Sequence, residues 1–413
     1  MERTDTIEPN VIGVGSTGCV IEHPVECASS AISDSKNVVA KIAPKDIIKE
    51  ELAKSQRIRK IDPHTIFTIG YRGVCVPKKN TAQLISMLKS KSCSPKIFKK
   101  KSKEKLYQLL MNYGGVAIDD LSPELKIKYP STQKVIPIIV TEVLRMLYAV
   151  YTLRNLHLSH YDIHSSNVLL NPDTMRLNLI DFGMMVEDGK IWEQFMRHNF
   201  MPHDYSHYPP ELLIILWIVK YKPRLLGLMI DGVPDEIITI ARESSRKNNP
   251  DELRRVLERS GIYAELGDFL LPDSFPPESR PNLYQIRCAG FLAIHSIVTT
   301  LPKSLSRKDK LEQLLVKIIT TMDSYAMSSV LLKYISFLML HRPYIVGDTH
   351  IQRTIKLLES LGNHRLDERI GVHEGIGEMI NIYKDLESSN MKDKRKGVQI
   401  GELLRELRHD GIY

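Results

Sequence analysis

One short polar stretch between apolar runs constrains this chain more than any other part of it. Asp162 and Asn167 are five residues apart, Asp181 follows nineteen residues after Asp162, and residues 168–170 and 179–180 have the apolar character of short strands. Carboxylate and amide oxygens are preferred ligands of hard divalent cations, and a further carboxylate is suited to accepting a proton. The stretch therefore predicts a metal-assisted reaction with a carboxylate as the base.

The order of these residues resembles the catalytic loop and the metal loop of protein kinases, which read H-R-D-x-x-x-x-N and D-F-G. The resemblance implies ATP and Mg²⁺ as cofactors, with Asn167 and Asp181 as the metal ligands. It also implies that Asp162 accepts the proton of the attacking hydroxyl and that Leu169 forms the floor under adenine.

The catalytic loop departs from the kinase pattern at two positions. Tyr161 replaces the usual arginine, so we expect weak or absent control by activation-loop phosphorylation. His164 stands where many Ser/Thr kinases have a lysine near the γ-phosphate, and we count it among the catalytic candidates together with Asp162.

A glycine-rich stretch near the N-terminus has the pattern G-x-G-x-x-G, which a dinucleotide-binding turn shares. Val20, two places after the third glycine, favours a strand-turn-strand hairpin over phosphates, and Lys41 stands where a dinucleotide fold would have an acid. By the kinase resemblance, the nucleotide contacts are Ile12, Gly13, Gly15, Gly18, Val20, Ala40, Lys41, Met111, Tyr113 and Leu169.

Lys41 needs a carboxylate partner if it is to hold phosphates in the kinase manner. Residues 46–61 have a helical pattern, with Glu51 on the apolar face and Glu50 turned about 100° away. We therefore expect Glu51 to pair with Lys41. Met111 is the expected gatekeeper, and residues 112–114 are expected to offer backbone groups to adenine.

Further kinase-like features lie downstream of the metal loop. Residues 208–211, Tyr-Pro-Pro-Glu, resemble the A-P-E that ends an activation segment, and Asp323 begins a motif that holds the catalytic-loop backbone in that family. Arg369 is the expected partner of Glu211. Placing the Asp323 helix at residues 321–340 leaves 212–320 as a mostly helical insertion of unknown role.

These features together predict an α+β fold of the bilobal protein-kinase type, with a small β-rich N-lobe and a large helical C-lobe that carries the insertion. We expect the N-lobe at residues 1–112, the C-lobe at 113–386 and a charged tail at 387–413. The tail is either partly ordered or forms a docking helix with Ile400, Leu403, Leu404 and Leu407. The insertion and the N-terminal cysteines resemble Ser/Thr kinases of large nucleocytoplasmic DNA viruses.

Composition sets the remaining expectations. The net charge of +8 is concentrated in residues 78–105, where ten lysines face one acid; this is either a solvated loop or a site for an anionic partner. The longest apolar segments, 134–150 and 212–219, look too short or too polar to span a bilayer. Five cysteines without metal-ligand spacing predict free thiols in a reducing compartment. A cytoplasmic protein, or a viral protein in the host cell or virion, is therefore expected.

Three functions remain open at this point. An active kinase of Ser/Thr hydroxyls in a protein substrate is favoured, with the Ser/Thr preference resting on the family likeness alone. The His-x-Asp-x-His-x-x-Asn pattern also resembles small-molecule phosphotransferases of the aminoglycoside and choline kinase type. The third is an ATP-binding pseudokinase that acts as a scaffold, against which the intact Lys41, Asp162, Asn167 and Asp181 speak.

Overall fold

The computed structural model describes a mixed α/β chain in which helix predominates. It divides into two compact units: unit 1 comprises Met1–Pro130, Ser166–Gly183 and Lys396–His409, and unit 2 comprises Ser131–Ser165, Met184–Arg395 and Asp410–Tyr413. The described residues are 10–15, 17–28, 37–79, 81–90, 93, 98, 104–128, 132–190, 207–221, 223–247, 249–259, 270, 280–366, 368–389, 403 and 405–408.

Unit 1 contains a five-stranded antiparallel sheet with strand order β1-β2-β3-β5-β4. Its strands are β1 (Val11–Val14), β2 (Cys19–Ile21), β3 (Val38–Pro44), β4 (Tyr71–Cys75) and β5 (Leu106–Asn112). Branched and apolar residues fill β3 and β5 because both faces of these strands are largely buried. The sheet therefore provides a rigid platform for the motifs predicted in residues 11–42.

Two helices pack on this sheet. Helix α1 (Lys45–Ile61) begins directly after Pro44, and its Ile48 is buried against Ala43 and Leu109 of the sheet. Helix α2 (Thr81–Ser90) buries Leu84, Ile85 and Leu88 in the other apolar cluster of the unit. The first helix matches the predicted range of 46–61 to within one residue.

A second, three-stranded sheet of unit 1 has the order β6-β8-β9. Its strands are β6 (Val116–Ala117), β8 (Val168–Leu170) and β9 (Leu177–Leu179). Gly115, at φ +120°, leads into β6 so close to the carbonyl oxygen of Leu170 that no side chain would fit. In this sheet, β8 directly follows the predicted metal ligand Asn167, and β9 ends two residues before the other predicted ligand, Asp181.

Unit 2 is built from helices and one short two-stranded sheet, formed by β7 (Leu158–Ser159) and β10 (Val186–Glu187). One large apolar core of this unit is formed by buried residues between Tyr161 and Met322, including Leu212, Phe291 and Leu314. The helices are α3 (Thr132–Asn155), α4 (Pro210–Tyr221), α5 (Pro223–Asp231), α6 (Asp235–Lys247), α7 (Pro250–Arg259), α8 (Arg280–Thr300), α9 (Arg307–His341), α10 (Thr349–Leu361) and α11 (Val372–Ser389).

The helix that contains Asp323 is longer than expected. It begins at Arg307, where the Ser306 side chain accepts a hydrogen bond from the Asp309 N–H, and continues to His341. The predicted start at residue 321 is therefore wrong, because the apolar run 312–319 belongs to the same continuous helix. An insertion that ends at residue 320 would end inside α9.

The two units also divide the chain differently from the expected boundary at residue 112. The N–H of Leu179 donates to the Phe67 carbonyl at 2.8 Å, and the side-chain amide of Asn178 donates to the Gly114 carbonyl at 2.8 Å. These bonds tie Ser166–Gly183 into unit 1. Chain order alone could not show this, because the partners lie more than sixty residues apart.

The cysteines differ from the prediction of free thiols. Cys19 is joined to Cys93 and Cys27 to Cys75 by disulfides within unit 1, while Cys288 of unit 2 is free and buried. Pairs separated by 74 and 48 residues give no sequence signal, because only the folded sheet brings them together. Free thiols therefore no longer argue for a cytoplasmic location, which stays a prediction.

Two helices of unit 2 are long and apolar enough to cross a bilayer by length and hydropathy alone: residues Lys134–Asn155 of α3, and α9. The most apolar windows of these helices are 78% and 72% buried within the protein. Buried core helices of soluble proteins meet the same criteria, so the described residues contain no clear membrane span.

The two charged segments are described only in part. The basic stretch 78–105 includes α2 and the buried Phe98, but many of its lysines lie outside the described residues, so the anionic partner stays a prediction. In the tail, Leu403 and Leu407 are fully buried within unit 1, and Glu406 lies 3.9 Å from His64. Ile400 and Leu404 lie outside the described residues.

Candidate functional site

Lys41 and Glu51 form an ion pair in unit 1. Lys41 lies in the middle of β3, opposite Val20 of β2 and Leu109 of β5, and its ammonium donates to the Glu51 Oε1 at 2.9 Å. Because α1 starts directly after β3, Glu51 is two turns into the helix and faces back toward the strand. Glu51, the acid expected from the helical pattern, is thus the partner of Lys41.

The glycine-rich stretch forms the predicted hairpin. In the β1–β2 register, Gly13 faces Val20 and Val14 faces Cys19. The turn is closed by the Gly15 N–H, which donates to the Gly18 carbonyl at 2.9 Å. The expected strand-turn-strand arrangement is confirmed, and the exposed Ile12 lies on β1.

The segment after β5 is fixed by backbone hydrogen bonds. The N–H of Asn112 donates to the Gly70 carbonyl and the N–H of Tyr113 donates to the Asn37 carbonyl, both at 2.8 Å. Burial, followed by the charges of Glu22 and Asp173, raises the pKa of Tyr113 above its ordinary value. Of the three residues expected to offer backbone groups to adenine, two therefore have their N–H groups already bonded within the protein.

The predicted gatekeeper and adenine-floor residues lie in the same unit. Met111 is in β5, paired with Val39 of β3, and the neighbouring Ala40 is fully buried opposite Leu110. Residues 112–114 are called the hinge below. In β8, Leu169 lies next to it, because a Cβ added to Gly114 would be 2.8 Å from the Leu169 Cδ1.

The two predicted metal ligands are linked through their backbones. The N–H of Ile180 donates to the Asn167 carbonyl at 2.9 Å, which places Asp181 next to Asn167. Asp181 has φ of 59°, a left-handed conformation that non-glycine residues rarely adopt, and its Oδ1 accepts from the Gly183 N–H at 3.2 Å. Such strained positions concentrate at active sites.

The donor set fits magnesium shared with a nucleotide. Asp181 is exposed and Asn167 supplies an amide oxygen, while no group of three or more His, Cys, Asp or Glu side chains in the described ranges could hold a metal. Magnesium is commonly bound by one or two protein ligands together with phosphate oxygens and water. Asn167 and Asp181 match that pattern better than a cation held by the protein alone.

Unit 2 contains the predicted base and its supports. The Asp323 carboxylate accepts the N–H of His160 at 2.6 Å and that of Tyr161 at 3.2 Å, which confirms that Asp323 holds the catalytic-loop backbone. Tyr161 is fully buried, has φ of 65°, and its carbonyl accepts from the Tyr208 hydroxyl at 2.8 Å. The loop leading to Asp162 is therefore held from two sides.

The catalytic loop also brings two histidines together. His164 Nε2 lies 3.7 Å from Asp162 Oδ1, and the His164 and His207 rings are 5.1 Å apart between centroids. Burial, and then the nearby His164, lowers the pKa of His207 to about 4, so His207 is neutral at physiological pH. At 3.7 Å, His164 is close enough to Asp162 to influence a base at that position.

Glu211 and Arg369 form the predicted pair, and the pair is buried. Arg369 Nη1 lies 2.6 Å from Glu211 Oε1, and both side chains are fully excluded from solvent. Arg369 also donates to the Asn363 carbonyl at 2.7 Å and to Thr321 Oγ1 at 3.1 Å. The end of the segment predicted as the activation segment is therefore anchored in the core of unit 2.

The structure thus places the predicted residues in two sets. Unit 1 holds the nucleotide contacts, the Lys41–Glu51 pair and both metal ligands; unit 2 holds Asp162 and His164. Joint action of Asp162 with the residues of unit 1 stays a prediction.

Sequence reasoning missed two residues near these positions. Lys54 follows Glu51 by one helical turn, and its Nζ lies 3.6 Å from the point a Cβ on Gly183 would occupy; the i, i+3 spacing could have indicated it. Asn178 is a buried amide in β9 that reaches the Gly114 carbonyl. An asparagine between two leucines was the only signal for it.

Residues 78–202 match a family model described as ABC1, an ABC1 atypical kinase-like domain. This match places residues 78–202 in the protein kinase-like superfamily. The matched region covers less than a third of the chain; it includes the catalytic and metal loops and begins after the Lys41–Glu51 pair. No curated protein matches the chain significantly. The match to this family model supports kinase-like phosphotransfer or a pseudokinase role. It does not specify the acceptor of the phosphate.

Proposed function

We propose that this kinase-like protein transfers the γ-phosphate of ATP, with Mg²⁺, to serine or threonine hydroxyls of a protein substrate. The observation that carries the proposal is the 2.9 Å ion pair between Lys41 and Glu51 in the unit that also holds Asn167 and Asp181. A lysine oriented by a carboxylate, combined with an amide and a carboxylate as metal ligands, is the arrangement that kinases use for Mg-ATP.

Nucleotide binding falls to unit 1 in this proposal. Glu51 fixes the Lys41 ammonium so that its remaining N–H groups are free to contact the α- and β-phosphates. The hairpin at Gly13–Gly18 covers the phosphates with backbone N–H groups. Leu169 provides an apolar contact for adenine. Ala40, the other predicted contact, is fully buried in the apolar cluster on the face of the sheet opposite Lys41, so we leave it out of the nucleotide site.

The chemical step requires little covalent participation by the protein. Magnesium, when bound, neutralises charge on the phosphate oxygens. Asn167 and Asp181 would hold it, and Asp162 would accept the proton of the attacking hydroxyl. Asp323, by fixing the N–H groups of His160 and Tyr161, keeps the Asp162 loop in one conformation and so reduces the reorganisation needed for reaction.

A protein substrate is supported by the segment that ends at Glu211. In protein kinases this segment presents the substrate, and here Glu211 is anchored by Arg369 while Tyr208 is bonded to the catalytic loop. These contacts hold residues 208–211, the end of that segment, in place, which favours a protein substrate over a metabolite. The preference for serine and threonine rests on the resemblance alone.

A small-molecule phosphotransferase is the second candidate, because His164 replaces the lysine near the γ-phosphate and lies 3.7 Å from Asp162. A pseudokinase is the third candidate, and the intact Lys41, Asp162, Asn167 and Asp181 speak against it.

The test is transfer of label from γ-labelled ATP by the full-length chain, with Mg²⁺, to a panel of basic and acidic proteins and to a panel of hydroxylated metabolites. We expect labelled phosphoserine or phosphothreonine, lost in Asp162→Asn, Asp181→Ala and Lys41→Met. Asp173→Asn, which removes an exposed carboxylate paired with Lys128, is the matched control and should retain activity. Label found only on a metabolite would support the second candidate; ATP binding without transfer would support the third.

A further inference from the structure

Gly114 is buried, and its N–H group has no acceptor among the described residues. Within the part of the chain that the structure describes, the N–H groups of Asn112 and Tyr113 are bonded to carbonyls, whereas no protein acceptor receives the N–H of Gly114. Gly114 itself is buried. Buried backbone donors are almost always paired, so an unpaired one at this position indicates a ligand acceptor.

Two apolar side chains lie beside Gly114. A Cβ at this position would lie 2.8 Å from both the Ile69 Cγ2 and the Leu169 Cδ1, so these side chains would have to shift to admit one. Leu169 is the residue expected to form the adenine floor. An acceptor nitrogen of an aromatic ring lying on Leu169 would thus be close to the Gly114 backbone.

Asn178 fixes this backbone from the other side. Its Nδ2 donates to the Gly114 carbonyl at 2.8 Å, and the side chain is 4% exposed. Asn178 faces Leu169 in the β8–β9 register, so its position is set by the strand pairing. The N–H of Tyr113 is bonded to Asn37, and the carbonyl of Gly114 is bonded to Asn178. The two-residue segment Tyr113–Gly114 is therefore restrained at both ends.

We infer that Asn178 is a positioning residue for nucleotide binding: its amide fixes the Gly114 carbonyl and thereby presents the Gly114 N–H to an acceptor nitrogen of the adenine ring. A glycine without this bond samples many backbone conformations, and ordering it would oppose binding. The inference rests on the proposed function, since it assumes that an adenine nucleotide binds to unit 1.

The first experiment compares binding of ATP, 1-deaza-ATP and 7-deaza-ATP to the full-length chain with Mg²⁺. Each deaza analogue lacks one ring acceptor next to the N6 edge. We expect one of the two to bind about tenfold more weakly than ATP, the loss that one hydrogen bond typically causes. Equal binding of all three would overturn the inference while leaving the proposed function standing. No binding of ATP would overturn both.

The second experiment uses Asn178→Ala and Asn178→Leu, with Asn171→Ala as the matched control. Asn171 lies in the same β8–β9 hairpin, and its side chain accepts from the N–H groups of Asp173 and Thr174 but does not contact the hinge. We expect the Asn178 variants to raise the KM for ATP about tenfold with kcat within about twofold, and to reduce the discrimination between ATP and the weaker analogue.

A purely structural role would lower the amount of active protein and leave the ratio of affinities for ATP and the analogue unchanged. An unchanged ratio in the Asn178 variants, or an equal rise of KM in Asn171→Ala, would overturn the assignment. If the variants fail to fold, the analogue series on the unmodified chain still decides the role of the Gly114 N–H.

Discussion

The Glu211–Arg369 pair gives a stability prediction with a magnitude set by its burial. Both side chains are fully excluded from solvent, so removing one partner leaves the other as an uncompensated buried charge. We expect Glu211→Gln and Arg369→Met each to lower the free energy of unfolding of unit 2 by about 3–5 kcal/mol. Arg369→Met should be the more severe, because it also removes the hydrogen bonds to the Asn363 carbonyl and Thr321.

The assay is urea unfolding followed by the fluorescence of Trp217, which packs against the core of unit 2. The chain has two tryptophans, so Trp192→Phe is used as the background. Arg353→Met, which breaks an exposed cluster with Glu378 and Asp385, is the control and should cost within about 1 kcal/mol.

A double-mutant cycle separates the pair from its surroundings. The Glu211→Gln/Arg369→Met variant should be more stable than the sum of the single losses indicates, because neither charge is left alone. Single losses below about 1 kcal/mol, or strictly additive ones, would refute the buried-charge explanation.

Three further predictions follow from individual contacts. Burial raises the pKa of Asp323 to about 6, against the lowering effect of its bonds to His160 and Tyr161, so the native state binds the proton more tightly than the unfolded chain. The Asp323 contribution to the free energy of unfolding should fall by about 3 kcal/mol as pH rises from about 4 to about 6, and unfolding curves should show this fall in the wild type but not in Asp323→Asn. Gly115→Ala should lower stability by more than about 1 kcal/mol because φ is positive and the Leu170 carbonyl is adjacent, whereas Gly189→Ala, with open space around it, should not; thermal unfolding compares the two. Alkylation of the denatured chain without reductant, read by mass spectrometry, should label Cys288 alone of the five cysteines, and label on any other cysteine would contradict the disulfide pairing.

Local patterns in the sequence predicted the parts of the candidate site that depend on neighbouring residues. The hairpin at Gly13–Gly18, helix α1 and the choice of Glu51 follow from strand alternation and from the 3.6-residue period of a helix. The contacts of Asp323 and Arg369 span more than 150 residues, and they were predictable only through the resemblance to kinases.

The failures have a common physical cause. The disulfides of Cys19 and Cys27 and the bond from Asn178 to Gly114 depend on contacts between distant segments. The start of the Asp323 helix was missed for a different reason. The kinase resemblance predicted a helix that begins at residue 321, whereas Ser306 caps this helix fifteen residues before that position.

The central claim is that unit 1 binds Mg-ATP through Lys41, Asn167 and Asp181. Calorimetric titration of the full-length chain with ATP, with and without Mg²⁺, tests it most directly. The account predicts binding that is strengthened by Mg²⁺ in the wild type and loses that dependence in Asp181→Ala. ATP binding that is absent, or equally dependent on Mg²⁺ in Asp181→Ala, would contradict it.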